Sequence, residues 1–443
     1  MMIELPYHVQ NIIETLHTSG YEAYAVGGCV RDSILGREPM DWDITTSAKP
    51  EEVKQLFRRT IDTGIQHGTV TVMIGKIGYE VTTYRIDGIY EDNRHPTEVS
   101  FTSNLVEDLQ RRDFTINAMA YNEQEGLVDV FGGMEDIKEG VIRCVGEPRL
   151  RFDEDALRIL RAVRFAAQLG YSIEETTQSA MKEHREALAT ISTERIQVEL
   201  VKTVISRHPS YLQLAYELHL TDIILPQFND IMETTQKNPH HCYPVGEHTL
   251  HAMEAIRPDK YLRLAMLFHD MGKPKTKTTD QNEIDHFYGH ERVSESIAKS
   301  TLRRLRFDNK TISYVTKLVR YHDERVQPDE VCVRKMIYEV GQDIFPLLLE
   351  VQEADISAQS DYKREQKKER LDGVRRCYEK ILSRGDCLSL GTLAVTGADL
   401  IGIGVPQGKQ IGVILKQLLE QVLESPEDNT QETLIEMAKE IIS

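Results

Sequence analysis

Tryptophan occurs once in the 443 residues, and the six cysteines, at 29, 144, 242, 332, 377 and 387, are scattered with no C-x-x-C pair. That spacing argues against a disulfide framework and fits buried thiols in a reducing cytoplasm. No apolar run approaches membrane-spanning length, so no transmembrane helix and no membrane partner are expected. The opening stretch, MMIELPYHVQNIIETLHTSGYEA, mixes charges early and reads as an amphipathic helix rather than a signal peptide. Neither a fixed-period repeat nor a low-complexity tract is present. Positive charge is scarce: 53 Lys and Arg face 71 Asp and Glu, for a net charge of −18. Phosphate contacts need local positive charge, so taken alone this argues against nucleic-acid binding. What counts is the distribution. RRLR (303–306), KREQKKER (363–370) and Arg375–Arg376 are basic clusters, each of which reads by itself as a solvated helix face.

With 40% hydrophobic and 28% charged residues the chain can bury a real core, and its length predicts two to four domains. Up to about residue 140, strands and helices mix. GTVTVMIG (68–75) and YEVTTYRI (79–86) alternate or run β-branched. Beyond about 150 the strand signal fades, and EDALRILRAVRFAAQLG, ERIQVELVKTVIS, RLAMLFHDMG and GVILKQLLEQVLE carry helical spacing. TTQKNPHHCYPVGEH (234–248) reads as a linker into a new domain, and the Gly-rich stretch 389–412 opens a last helical piece.

The stretch PMDWDITTSA (39–48) carries Asp41 and Asp43, followed by strand formers and preceded by a Gly-Gly pair in AVGGCVRDSILG. On a β-strand, residues i and i+2 point to the same side, so the two carboxylates would stand together. They repel unless a cation sits between them. Oxygen-only ligands favour Mg²⁺, which takes its remaining ligands from water and substrate phosphates, and such a pair can hold metals for in-line nucleotidyl transfer. Gly27 and Gly28 let backbone N–H groups approach a triphosphate closely, and Arg31 adds a charged donor. Glu80, on a strand of its own, would complete the metal site or act as a base. The alternatives are a surface turn with two solvated acids and a half-exposed strand residue.

VGGCVRDSILGREPMDWDIT resembles the head of the class II tRNA nucleotidyltransferase and bacterial poly(A) polymerase family. EVTTYRIDGIYEDNRHPTEVSF resembles the family's flexible loop, DLQRRDFTINAMAY its ribose-binding segment, DVFGG its hinge, and RFDEDALRILRAVRFAAQLG its nucleotide-selecting helix. Five blocks in the family's order imply an α+β fold. A small mixed-sheet nucleotidyltransferase head (1–140) would be followed by an all-helical neck (141–233), an HD-type body (234–360) and a tail (361–443) that contacts tRNA.

From residue 154 on, a single helix would carry Ala156, Ile159, Leu160, Val163, Ala166 and Ala167 on one arc and Glu154, Asp155, Arg158, Arg161 and Arg164 on the other. Read alone it is an amphipathic helix with ion pairs such as Glu154 with Arg158. The resemblance implies instead that Asp155 and Arg158 read the incoming base. An aspartate accepts from the exocyclic amine of cytosine or adenine while an arginine donates to the neighbouring ring nitrogen; uracil and guanine mismatch both. Arg161 and Arg164 would then position the triphosphate or base, Arg112 would contact the nucleotide, and Asp113 would accept from the ribose 2′-hydroxyl. For Arg111 and its neighbours the alternative is an Arg–Asp surface pair. The loop GIYEDNRHP (88–96), with Arg94 and Pro96, is one that members adding only C lack, so its presence points to addition of A.

His248, His269–Asp270 and Asp355, with His290 and His322 between them, follow the order H…HD…H…H…D, which resembles an HD-type metal phosphohydrolase domain. The resemblance makes His248, His269, Asp270 and Asp355 the ligands of a divalent transition metal, with His290 and His322 as further candidates. A degenerate domain kept as a tRNA-binding scaffold is the alternative. The reading is therefore a cytoplasmic enzyme that adds C, C and A to tRNA from CTP and ATP with Mg²⁺. An A-adding enzyme, a poly(A) polymerase, a chain that is primarily an HD phosphohydrolase, and a non-catalytic RNA-binding protein are the competing readings.

Overall fold

The computed structural model describes residues 2–87 and 99–442. The loop with Arg94 and Pro96 lies outside the described residues. The chain forms two compact units, Met1–Pro226 and Gln227–Ser443.

The first unit is built on seven strands: β1 (Ala23–Val26), β2 (Ile44–Thr46), β3 (Thr60–Gly64), β4 (Thr69–Ile74), β5 (Ile77–Thr83), and, after a separate ribbon of β6 (Arg85–Asp87) and β7 (Val99–Phe101), β8 (Met119–Asn122) and β9 (Gly126–Asp129). Their order in the sheet is β3-β4-β5-β2-β1-β8-β9. Neighbours run antiparallel except β2 and β5, which are parallel in the register Ile44 opposite Val81. Side-chain alternation divides β1 between two cores. Ala23 and Ala25 pack with the amphipathic helix Tyr7–Thr18, whose buried Val9, Ile12, Ile13 and Leu16 recur at helical spacing, while Tyr24 and Val26 pack with Tyr84, Leu105 and Leu109 on the opposite side. Beyond the sheet the unit is helical, apart from a short parallel pair between Val141–Ile142 and Ser172–Ile173.

Several sequence expectations change here. The two aspartates precede β2 rather than lying within it; the Asp43 carbonyl accepts from Val26 N at 3.0 Å and ties the segment to β1. The expected continuous helix from 154 is two helices, Pro148–Glu154 and Leu157–Leu169, with Asp155 extended between them. The Asp155 side chain accepts from Leu157 N at 3.0 Å, a local bond that competes with helix continuation. Nor is the arginine side of the second helix a solvated face: Arg158 and Arg164 are buried. Three cysteines are buried, but Cys242 and Cys332 are exposed.

The second unit packs helices Val245–Ala255, Lys260–Phe268, His290–Arg304, Asn309–Tyr321 and Phe345–Ala358 together. A further core is formed by Glu330–Val340, Arg364–Arg384 and Lys409–Glu424, filled by Phe345, Ile381, Leu418, Leu419 and Val422. Two strand residues, Thr278–Thr279, pair with Asp285–His286. The linker expected at 234–248 is irregular up to Pro244, where the helix begins at Val245. No helix among the described residues is long and apolar enough to cross a membrane.

Ile12 is fully buried in the first unit, against which Trp42 also packs. Ile12→Ala is expected to destabilise this unit by about 2–5 kcal/mol. Urea unfolding followed by Trp42 fluorescence reads this directly, and an unchanged midpoint would contradict the packing described.

Candidate functional site

In the first unit, Trp42 turns toward the core while Asp41 and Asp43, its neighbours on either side, stay open to solvent. The β2–β5 register extends backward to bring Glu80 level with Asp43. Asp41 acts on Asp43, and both act on Glu80, so the three acids lie near one another. Crowding by protein pushes the Asp43 carboxyl up, with Arg112 pulling it down and Asp41 pushing it further up. Glu80 is pushed up by the same partial desolvation and then by Asp43 and Asp41. Carboxylates that destabilise one another's charge fit a hard cation, and this oxygen-only set suits Mg²⁺.

Gly27 precedes the helix Gly28–Ile34 with φ +82°, and a Cβ there would lie 2.9 Å from Arg112 Nη1. The guanidinium therefore rests on the glycine, a position that side chains reach only with strain. Arg112 Nε is buried without a hydrogen-bond partner, and Asp108 stands 3.6 Å from its Nη2. Arg31 donates to Asn117 Oδ1 at 2.6 Å and to Asp32 at 2.9 Å. Its guanidinium, with those of Arg161 and Arg164, surrounds the Phe165 ring at 5.1, 5.4 and 4.0 Å. The aromatic face offsets part of the cost of bringing three cations together.

Asp113, assigned from sequence to the ribose, is buried and accepts from Phe114 N, Asn117 Nδ2 and Arg161 Nε at 2.8, 3.0 and 2.7 Å. Burial raises its carboxyl, but Arg161 and Asn117 outweigh this and hold it well below the usual range. Asp155 and Arg158, expected to act together on a base, belong to different ion pairs. Asp155 holds Arg195 at 2.7 Å. Arg158 binds Glu154 and donates to the carbonyls of Arg151 and Arg111 at 3.0 and 2.9 Å. Arg164 pairs with Glu199 at 2.6 Å. Arg195 and Glu199 went unread in the sequence; their i,i+4 spacing in TERIQVEL puts both on one side of the helix Thr193–Val204, which packs on Leu157–Leu169. Arg111 is held by Asp108 at 2.7 Å in a half-buried pair, not an exposed one.

In the second unit the structure brings all six His and Asp candidates together. His248, His269 and Asp270 form one buried trio and Asp270, His290 and His322 another, each with ligand atoms within 4.8 Å. Asp270 is shared: its Oδ2 lies 3.2 Å from His269 Nε2, and its Oδ1 lies 3.4 and 3.8 Å from His290 and His322. Asp355 Oδ1 stands 2.9 Å from His248 Nε2. Every imidazole turns Nδ1 to a backbone carbonyl, of Ala358, Met266, Phe287 and Val319 respectively, at 2.6–3.2 Å. Those contacts give each Nδ1–H an acceptor and turn the Nε2 atoms toward one another, His248 to His269 at 3.4 Å and His290 to His322 at 3.2 Å, while, against burial, Asp270 and Asp355 favour the charged form of His269. Burial, His269 and His290 keep the His322 imidazole neutral, its pKa down to about 4. Converging Nε2 atoms beside two buried carboxylates are a group that could hold a metal ion. Lys273, missed from sequence, sits 2.7 Å from Asp270 Oδ2.

A family described as the Poly A polymerase head domain matches residues 23–143. "Probable RNA and SrmB- binding site of polymerase A" matches 170–232, and tRNA nucleotidyltransferase domain 2 matches 278–438. The CCA-adding enzyme of Levilactobacillus brevis is 36% identical over 427 residues, spanning 96% of this chain and 95% of that one. That of Enterococcus faecalis is 35% identical over 430 residues, spanning 97% and 94%. The crystal structure of the Bacillus stearothermophilus CCA-adding enzyme in complex with CTP superposes with a TM-score of 0.74 at 30% identity, covering 99% of this chain and 98% of that one. The chain belongs to the family of CCA-adding enzymes, which are nucleotidyltransferases.

Proposed function

We propose that this chain adds C, C and A to the 3′ end of tRNA from CTP and ATP, without a nucleic-acid template. The observation that carries this reading is the group of Asp41, Asp43 and Glu80, with Arg112, resting on Gly27, acting on Asp43. Bound Mg²⁺ on Asp41 and Asp43 would neutralise charge on the transferring phosphoryl. The primer 3′-hydroxyl attacks the α-phosphorus, a new O–P bond forms, the bond to the β-phosphate oxygen breaks and pyrophosphate leaves. Glu80, with its raised pKa, is suited to take the hydroxyl proton. Arg112, Arg31 and the arginines around Phe165 supply fixed positive charge for the triphosphate.

Base choice rests on Asp155 and Arg158, each held by another partner in the ligand-free chain. For cytosine or adenine, Asp155 would accept from the amine and Arg158 would donate to the ring nitrogen. Uracil and guanine would leave both groups mispaired, at about 1–3 kcal/mol each. Asp113 in this reading serves through Arg161, which it orients, as well as toward the ribose.

The converging imidazoles of the second unit favour a second reading alongside the first, a metal phosphohydrolase centre on His248, His269, Asp270 and Asp355, with His290 and His322 on the other Asp270 oxygen. A metal held there would polarise a phosphoester and acidify a water.

Three outcomes test these readings. Asp43→Asn abolishes nucleotide addition while tRNA binding, measured by filter retention, is kept; retained addition refutes the metal assignment. Asp155→Ala lowers kcat/KM for CTP and ATP relative to UTP by roughly tenfold to a hundredfold, and an unchanged ratio removes Asp155 from base reading. His269→Ala eliminates phosphodiesterase activity on bis(p-nitrophenyl) phosphate with added Mn²⁺, Co²⁺ or Ni²⁺ and leaves CCA addition intact. No such activity in the parent chain with any of these metals sinks the second reading.

A further inference from the structure

A cavity of about 670 Å³ opens onto the His–Asp centre, within the range of small-molecule sites. It is lined on one side by Asp270, His290 and His322 and on another by Arg325, Lys363, Lys367 and Arg370. The basic run KREQKKER, which reads from sequence as a solvated face, thus turns Lys363, Lys367 and Arg370, spaced i, i+4 and i+7, along the cavity. Asp323 acts on Lys367 and Arg370 from a distance, and Asp355 acts on Lys367, but neither cation is ion-paired among the described residues. Among the described residues neither Lys367 nor Arg370 has a carboxylate within 4.0 Å, and Arg325 has only Asp323, at 3.9 Å. Crowding by protein, with Arg325 close by, lowers the pKa of both Lys367 and Arg370.

The cationic wall is tied to the centre. Lys367 donates to Gln359 Oε1, and Gln359 Nε2 donates to Asp355 Oδ2 at 2.8 Å. On the rim, Tyr288 is 81% exposed and stacks with His286, rings 5.4 Å apart and nearly parallel at 6°. An aromatic platform at the mouth of a site with one cationic wall and a His–Asp centre that would draw an anion once it holds a metal has the chemistry of a nucleotide pocket. Asp323 and Glu324, also on the lining, suit ribose hydroxyls.

We infer that this cavity takes a nucleoside carrying two separate phosphates, one ester phosphate at the Asp270 and imidazole centre, the other on Arg325, Lys367 and Arg370, with the base against Tyr288. The inference rests on the phosphohydrolase reading only for turnover, not for binding. In turnover the oxygen of water bonds to the phosphorus of the first ester, and that ester's P–O bond breaks. The leaving ribose oxygen takes a proton, and inorganic phosphate and a nucleoside monophosphate result.

The test compares adenosine 3′,5′-bisphosphate with adenosine 3′-monophosphate. Binding to the metal-free full chain is measured by calorimetry, and hydrolysis is measured with added Mn²⁺, Co²⁺ or Ni²⁺. The wild-type chain is expected to bind the bisphosphate roughly tenfold more tightly or better. In Arg325→Gln/Arg370→Gln, checked by an unchanged thermal transition, that preference is expected to vanish. Equal binding of the two compounds by the wild type overturns the inference, as does a preference that survives the double substitution. Tighter binding of a short RNA ending in a 3′-phosphate overturns it in favour of a nucleic-acid end. If the preference and its loss are seen but nothing is hydrolysed under any metal, the phosphohydrolase reading fails and the ligand assignment stands. If both compounds are hydrolysed with equal KM, the reading stands and the ligand assignment fails.

Discussion

Like charges held close together are the constraint on which the functional parts of this chain depend. Asp41 pushes the Asp43 carboxyl up, and both push up that of Glu80. Three guanidiniums crowd around Phe165. Four imidazole Nε2 atoms converge beside two buried aspartates. Each arrangement is costly unless opposite charge lies beside it, as Asp113 and Glu199 do for Arg161 and Arg164 and Lys273 does for Asp270. The scaffold is what makes the cost tolerable. The β2–β5 register fixes the acids, Gly27 makes room for Arg112, and backbone carbonyls orient the imidazoles through Nδ1.

Division of labour follows the two units. In the first, Asp41, Asp43 and Glu80, the arginines of the Leu157–Leu169 helix and the Asp113 carboxylate lie within one compact unit. The ion pairs Asp155–Arg195 and Arg164–Glu199 hold that helix against Thr193–Val204. In the proposed function, selection of a base would exchange an internal partner for one offered by a nucleotide, so a wrong base would have to compete with a well-made ion pair. The second unit carries its own buried His and Asp cluster, with a carboxylate, Asp270, that faces four imidazoles and a lysine.

Much of this was legible in the sequence, and the limits are physical. The strand pattern in GTVTVMIG and YEVTTYRI, the apolar spacing of Tyr7–Thr18 and the loop before Val245 all follow from local periodicity and are found where expected. The order of histidines and aspartates correctly predicted a cluster, though only the packing of five helices shows that Asp270 is shared between two trios. The break at Asp155 was not legible, because a single side-chain bond to Leu157 N overrides a pattern that is helical on both sides. The burial of Arg158 and Arg164 was missed for a similar reason. Charge on a helical wheel signals solvent unless the partner helix, here the one bearing Glu199, is known to face it. Likewise KREQKKER has the composition of a solvated face, and only the tertiary placement of Lys367 and Arg370 shows what they line.

The central claim is tested most directly with three tRNA transcripts, ending before CCA, after C and after CC, each incubated with Mg²⁺ and CTP, ATP or both. The account predicts that the first is completed to CCA only when both nucleotides are present. Extension of the CC-ended transcript alone, by a single A, would contradict it and mark an enzyme that depends on another for its two cytidines.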